Sequence, residues 1–196
     1  MIYILALWEV RAPEYLSYIL TLATFCKLGS FYALSSSSGS VKWLTQLGTS
    51  DIYSAPALSQ DSSVVYIGNM DGVVYGLSAS SGEVLMQYQL TYSVIGIAIS
   101  NVGAVIVTDA RYVYSLSSTN LSQVWYTTYT AVGKDSFHTY PIIDLEGNIY
   151  VSTMQNYVYS ISSTGLIKWT YLAAKSRSEF HFNCYLYFLN IIFLFR

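Results

Sequence analysis

The chain has 196 residues, enough for one domain or a small domain with tails. Hydrophobic residues make up 53% and charged residues only 10%, against about 25% charged in an average soluble protein, which excludes a disordered tail, a coiled coil and a basic nucleic-acid-binding module. Nine Lys and Arg against eleven Asp and Glu give a net charge of −2 and no field for a polyanionic partner, while 20 tyrosines and heavy serine use point to β-strands joined by small polar turns.

In chain order, the first ten residues are apolar. They lack a positively charged start, and Glu9 then Arg11 follow closely, which makes a poor signal peptide. Residues 15–25 are apolar too. From residue 31 a repeat sets in. Tyr32-Ala33-Leu34, Tyr75-Gly76-Leu77, Tyr114-Ser115-Leu116 and Tyr159-Ser160-Ile161 recur with steps of 43, 39 and 45 between their tyrosines. A Ser-rich turn follows each, and then a large apolar residue: Trp43, Met86, Trp125 and Trp169, at 11, 11, 11 and 10 residues beyond the tyrosine. Ala12-Pro13, Ala55-Pro56 and Tyr140-Pro141 stand upstream of three of the units.

Inside each unit the pattern predicts strands of about five residues separated by turns. In the second unit these are 64–68, the turn Asn69-Met70-Asp71-Gly72, 73–77, a second turn over 78–82, and 83–90. The third unit gives 104–108, 112–116 and 123–129, and the fourth gives 148–152, 157–161 and 166–171. A period near 40 with four strands per unit predicts an all-β chain, a partial β-propeller of about three to four four-stranded antiparallel blades, with no helix between 31 and 171. If Pro13 answers Pro56, Gly29 answers Gly72, and residues 1–30 read as a degenerate first blade; the competing reading is an apolar leader.

The repeat resembles the PQQ-type propeller family of quinoprotein dehydrogenases and the outer-membrane assembly lipoprotein BamB. The family form of the tryptophan-docking stretch is Ala-x-Asp-x-x-x-Gly-x-x-x-Trp. Ala33, Gly39 and Trp43 match it in the first unit; Gly76, Gly82 and Met86 take those places in the second. The third unit has Trp125 but Leu121 where glycine is expected, with Asn120 next to it as the candidate for the left-handed turn. The fourth has Gly165 and Trp169 and is one residue shorter. Serine replaces the family's Asp in all four. The resemblance implies that Trp43, Trp125 and Trp169 wedge between blades. It also implies rings of seven or eight blades, so this chain reads as part of a ring, to be completed by remaining blades, another copy or a protein partner.

Chemistry-bearing motifs are sparse. The resemblance implies that a quinoprotein dehydrogenase would hold PQQ beside calcium with an acidic cluster and an aspartate base; no Cys-Cys pair and no such constellation is legible. Of Asp51, Asp61, Asp71, Glu83, Asp109, Asp135, Asp144 and Glu146 nearly all fall in predicted turns, with Asp144, Glu146 and Asn148 as a weak cation loop. His138 stands alone before a strand, and Cys26 and Cys184 form no metal or disulfide framework. After Lys175 and Arg177 the composition changes, and the segment running from Phe180 to Phe195 is strongly apolar, though at sixteen residues short of the roughly 20 that span a bilayer. For the tail 172–196 a poor membrane anchor, a packing strand and an extension foreign to the fold compete. The reading reached is a non-enzymatic binding or scaffold propeller with no cofactor, a protein partner and no nucleic acid. The alternatives are a quinoprotein fragment using PQQ and calcium, and a membrane-tethered sensor. Compartment is open, with a lean towards an extracytoplasmic or membrane-associated place.

Overall fold

The computed structural model describes residues 19–20, 29–35, 37–128, 136–137 and 139–173. All regular elements among them are strands: β1 Ile19–Leu20, β2 Ser30–Ser35, β3 Val41–Gln46, β4 Ala57–Leu58, β5 Val64–Gly68, β6 Val73–Ser78, β7 Val84–Gln89, β8 Val94–Ile99, β9 Val105–Asp109, β10 Tyr112–Leu116, β11 Gln123–Thr128, β12 Ile142–Ile143, β13 Ile149–Ser152, β14 Tyr157–Ile161 and β15 Ile167–Leu172. They form four sheets in simple up-and-down order. β1-β2-β3 is the first blade as described, and β4 to β7, β8 to β11 and β12 to β15 are the four-stranded blades 2, 3 and 4. Each strand pairs antiparallel with the next, as in Val65↔Leu77 and Leu77↔Val84.

In every blade the third and fourth strands slip register by a bulge at the same place: Ala33/Leu34, Gly76/Leu77, Ser115/Leu116 and Ser160/Ile161. The bulge sits next to the Ser-rich turn and adds twist there. That turn uses paired hydroxyls, Ser35 with Ser37, Ser78 with Ser80, Ser117 with Thr119 and Ser162 with Thr164, all 2.8–3.0 Å apart. These hydroxyl pairs brace the turn without adding charge.

The core is not inside blades but between them. One cluster joins blades 1 and 2 through Phe31, Trp43, Leu47, Ile52, Val65, Ile67 and Leu77. A second joins blades 2 and 3 through Tyr66, Val74, Val105, Val107, Leu116 and Leu121. A third joins blades 3 and 4 through Ile106, Val113, Phe137, Ile149, Val151 and Ile161. The alternation explains this: Val65 and Ile67 face one way and Tyr66 the other, because successive strand residues point to opposite faces. A sheet buried on both faces has no polar alternation to show, which is why β9 reads Val-Ile-Val-Thr-Asp and is buried throughout.

The antiparallel order places the turns at two rims. Turns between first and second strands, and between third and fourth, lie at one end. Gln60 donates to the carbonyls of Ser100 and Asn101 there, and Asn101 in turn to that of Leu145, tying three blades in series. Second-to-third turns and blade-to-blade connections lie at the other end, where Met70 N–H donates to Asp51, Val94 to Asn69, and Phe137 to Ala110.

Candidate functional site

Two kinds of surface carry potential function: the faces by which blades dock, and the two rims. The docking contact is built from a fourth-strand side chain and the third-to-fourth turn of the following blade. Trp43, in β3 opposite Ala33, lies 5.6 Å edge-on from the Phe31 ring and is 8% exposed. Its indole N–H donates to the Ala79 carbonyl at 3.0 Å, and Thr45 Oγ1 donates to the Gly82 carbonyl at 2.6 Å. A Cβ on Gly82 would stand 2.6 Å from the Trp43 ring, and its φ of 74° is the left-handed region that glycine occupies freely. Trp125, in β11 opposite Ser115, repeats this on blade 4: its indole N–H donates to Ser163 at 3.1 Å, Thr127 Oγ1 donates to the Gly165 carbonyl, and a Gly165 Cβ would meet the ring at 2.8 Å.

Blade 2 departs from this rule. Met86 takes the tryptophan's place, folded over Gly76, where a Cβ would lie 2.7 Å from Met86 Cγ. The third-to-fourth turn of blade 3 carries Leu121, fully buried at φ 57°, in the cluster against which Met86 packs. The left-handed residue is therefore Leu121 itself and not Asn120, whose Oδ1 accepts from Ser122 N–H. Burial of a leucine side chain in the space a ring would fill stabilises by about 2 kcal/mol, enough to hold a strained φ of order 1–2 kcal/mol. The carbonyl of Ser118, which a tryptophan N–H would have taken, accepts instead from Tyr66 Oη at 3.0 Å. Composition alone hid this swap, because only the pairing of a smaller knob with a larger turn residue betrays it.

Trp169 has no following blade among the described residues on which to pack. It is in register with Ser160, with the Tyr150 ring 6.0 Å away, but it is 45% exposed and all of β15 is exposed. At the opposite end of the stack Gly39, φ 68°, has nothing within 4 Å of the position its Cβ would take.

The rims differ in their side chains. The rim of first-to-second turns carries Ser, Asp and Asn with Val102 and Leu145 exposed among them, and the carboxylates of Asp61 and Asp144 serve the turns. Hydrogen bonds from Ser59 and Ser63 hold Asp61 down to about 2. Burial pushes Asp144 up, but hydrogen bonds from Asn148, Tyr150 and Glu146 N–H outweigh it and leave its pKa lowered. Among the described residues no three His, Cys, Asp or Glu side chains gather as a metal site. His138, Asp135, Cys26, Cys184, Lys175, Arg177 and the segment 180–195 lie outside the described residues.

The other rim exposes Tyr53, Met70, Tyr92, Arg111 and Met154. Arg111 stands over the Tyr92 ring at 5.6 Å, and Tyr92 stacks at 6.2 Å on Tyr112, which meets Tyr126 edge-on at 5.5 Å. Beneath them Asp109 is fully buried. Its Oδ1 accepts from Arg111 N–H and Tyr112 N–H, both at 2.7 Å, and its Oδ2 from Tyr114 Oη at 3.1 Å. Desolvation raises the Asp109 pKa against the pull of these donors. Blade 2 uses a buried asparagine at the same place, Asn69, whose Oδ1 accepts from Val73 N–H at 2.9 Å. The native carboxyl holds its proton more tightly than the unfolded chain does, so the stability it contributes is present at acid pH and falls as pH rises through its raised value. Asp109→Asn should therefore raise the melting temperature near about pH 7.5, with the gain closing towards about pH 4. The Tyr114 hydroxyl can accept from the new amide. Melting curves across pH check this, and a gain that grew on acidification would contradict it.

A family model described as outer membrane protein assembly factor BamB matches residues 27–139, more than half of the chain. A search of curated proteins finds no match. Among solved structures, BamB from Moraxella catarrhalis is similar with a TM-score of 0.61 and 16% identity, over 87% of this chain and 51% of that one. The Cps50 (Swd1) β-propeller domain of Myceliophteria thermophila is similar with a TM-score of 0.67 and 14% identity, over 80% of this chain and 52% of its own. The chain thus spans about half the length of either neighbour. With PQQ-type repeats in up-and-down blades and a family model that covers most of them, the chain belongs to the BamB family of β-propellers.

Proposed function

We propose that the protein is a binding scaffold, whose rim of blade-to-blade connections engages a protein partner. The observation that carries this reading is the ordered patch on that rim: Arg111 stands over the Tyr92 ring and Tyr92 stacks on Tyr112, on a rim that also exposes Tyr53, Met70 and Met154. The opposite rim exposes Val102, Leu145 and Leu166 among Ser, Asp and Asn turns. Tyr, Met and Arg are the side chains that interfaces favour, because they offer large area at modest entropic cost. The Arg111–Tyr92 pair rests on Asp109 and on backbone donors, so it is held in place before a partner arrives.

Peptides selected from a random display library on the immobilised protein provide the test. Tyr92→Ala and Arg111→Ala should each weaken the selected peptides by about tenfold or more, the size of an anchoring contact. Ser80→Ala, on the opposite rim, should leave them unchanged. Both rim side chains are exposed, so the fold tolerates their loss. Peptides that respond to neither variant, or to Ser80 instead, would overturn the reading.

A further inference from the structure

On the rim of blade-to-blade connections, the second-to-third turns of blades 2, 3 and 4 follow one another in blade order. Each opens on a buried polar residue, Asn69, Asp109 and Thr153, and then exposes a large side chain, Met70, Arg111 and Met154. The connections join these turns directly. Ser93 Oγ donates to the Met70 carbonyl, Phe137 N–H to Ala110, and Met154 N–H to Ser136. Arg111 therefore stands between two methionines on equivalent turns of neighbouring blades. It is the only arginine among the described residues. Lys42 and Lys168 lie in fourth strands near the opposite rim, and Lys168 already donates to Asn148. The Arg111 guanidinium covers the Tyr92 ring and has no ion pair or hydrogen bond among the described residues. Asp109 beneath it does not serve as its counter-ion, because both carboxylate oxygens accept from backbone N–H groups and from Tyr114 Oη.

We propose that the partner segment engaged here is an extended peptide with one central carboxylate, which pairs with Arg111, and apolar side chains about three residues to either side, which meet Met70 and Met154. This rests on the scaffold reading and names the partner's chemistry. A guanidinium stacked by its face on an aromatic ring keeps its in-plane N–H fork for a carboxylate, the one group that matches the fork with two parallel hydrogen bonds and the opposite charge at peptide scale. Methionine suits the flanks, since its unbranched thioether adapts to aliphatic or aromatic neighbours. The spacing follows from the blades: packed sheets stand about 10 Å apart, and an extended chain advances about 3.3 Å per residue. Exposed Asp71 lies on the same rim, one blade away, and disfavours a second acidic residue there. A single cation on a chain of net charge −2 does not make a track for a nucleic-acid backbone, which binds through several phosphates at once.

Two display libraries on the full chain test this. Both carry apolar residues three positions before and three after a central residue, which is glutamate in one library and glutamine in the other, with all other positions random. The glutamate library should yield binders at least about tenfold tighter, the size of one charge-assisted pair. Arg111→Gln should erase that difference, and Arg111→Glu should restore binding to peptides resynthesised with lysine at the centre. Met70→Ala and Met154→Ala should each weaken the binders about fivefold through lost apolar contact. Raising the salt should narrow the gap between the libraries. All three side chains are exposed, and melting curves check that each variant is folded. Binders that ignore the central glutamate but are lost with Tyr92→Ala would overturn the inference and leave the scaffold reading standing. No binder from these libraries or from an unconstrained one would overturn both. A single-stranded oligonucleotide that displaces the peptides in an Arg111-dependent way would reassign the patch to nucleic acid and overturn the inference.

Discussion

Trp43→Ala should cost about 3–5 kcal/mol, the range for deleting a buried aromatic side chain, and lower the melting temperature by roughly 10 °C. The size follows from the junction. The ring fills the space that Gly82 leaves, stands edge-on to Phe31 and gives its N–H to Ala79. Alanine would open a cavity between two sheets that cannot approach, because β2, β3 and the turn at 79–82 are each fixed by their own ladders. It would also leave the Ala79 carbonyl short of a donor, which adds to the loss. Trp43→Phe keeps most of the ring and should recover more than half of the difference. Thermal or urea unfolding checks both. If Trp43→Ala melted like the parent chain, interblade wedging would not be what holds these sheets together.

The second large effect is non-additive. Met86→Trp alone drives a ring against Leu121 and should cost about 1–3 kcal/mol by overpacking. Leu121→Gly alone relieves the left-handed φ but removes a fully buried side chain, for a net loss of about 2–4 kcal/mol. The double variant rebuilds the pairing found at Trp43–Gly82 and should lie well above the sum of the two, with a coupling of roughly 2–3 kcal/mol. The same unfolding measurements on the four proteins give that number. A coupling near zero would mean that Met86 and Leu121 do not share one space, and the size-matching account of the junctions would fail.

Much of the architecture was legible because it is periodic. Tyr32, Tyr75, Tyr114 and Tyr159 mark third strands, and the next large apolar residue marks the fourth. All four pairs fall in the strands that the pattern gives them. Strand ends moved by a residue in either direction, with β7 shorter at both ends, β6 longer and β9 and β15 shifted by one, as helical and strand termini commonly do. Less legible was the condition of each aromatic. Trp43 and Trp169 hold the same place in their blades, opposite Ala33 and Ser160, yet one is buried and the other half open, since burial depends on the neighbouring blade and not on the blade's own residues. The Asn120 expectation failed for a related reason. Local propensity favours asparagine in a left-handed turn, but the cluster around Tyr66, Val105 and Leu116 rewards burial of leucine more than the turn penalises it. The rim patch was hidden altogether. Tyr92 and Arg111 lie 19 positions apart in sequence, and only the antiparallel order brings a blade-to-blade connection beside a second-to-third turn. Asp109 read as a solvated turn acid and is instead the buried anchor of that turn.

The odd junction between blades 2 and 3 has a further effect. Units that all carried the same knob and the same socket could be stacked in any sequence, and such chains risk shuffling during folding or exchanging units between molecules. Here an indole would overpack the leucine-filled socket, and a thioether would underfill a glycine-lined one. One nonconforming pair therefore works as an address: it fixes which unit sits third, and so gives an otherwise repetitive assembly a defined order.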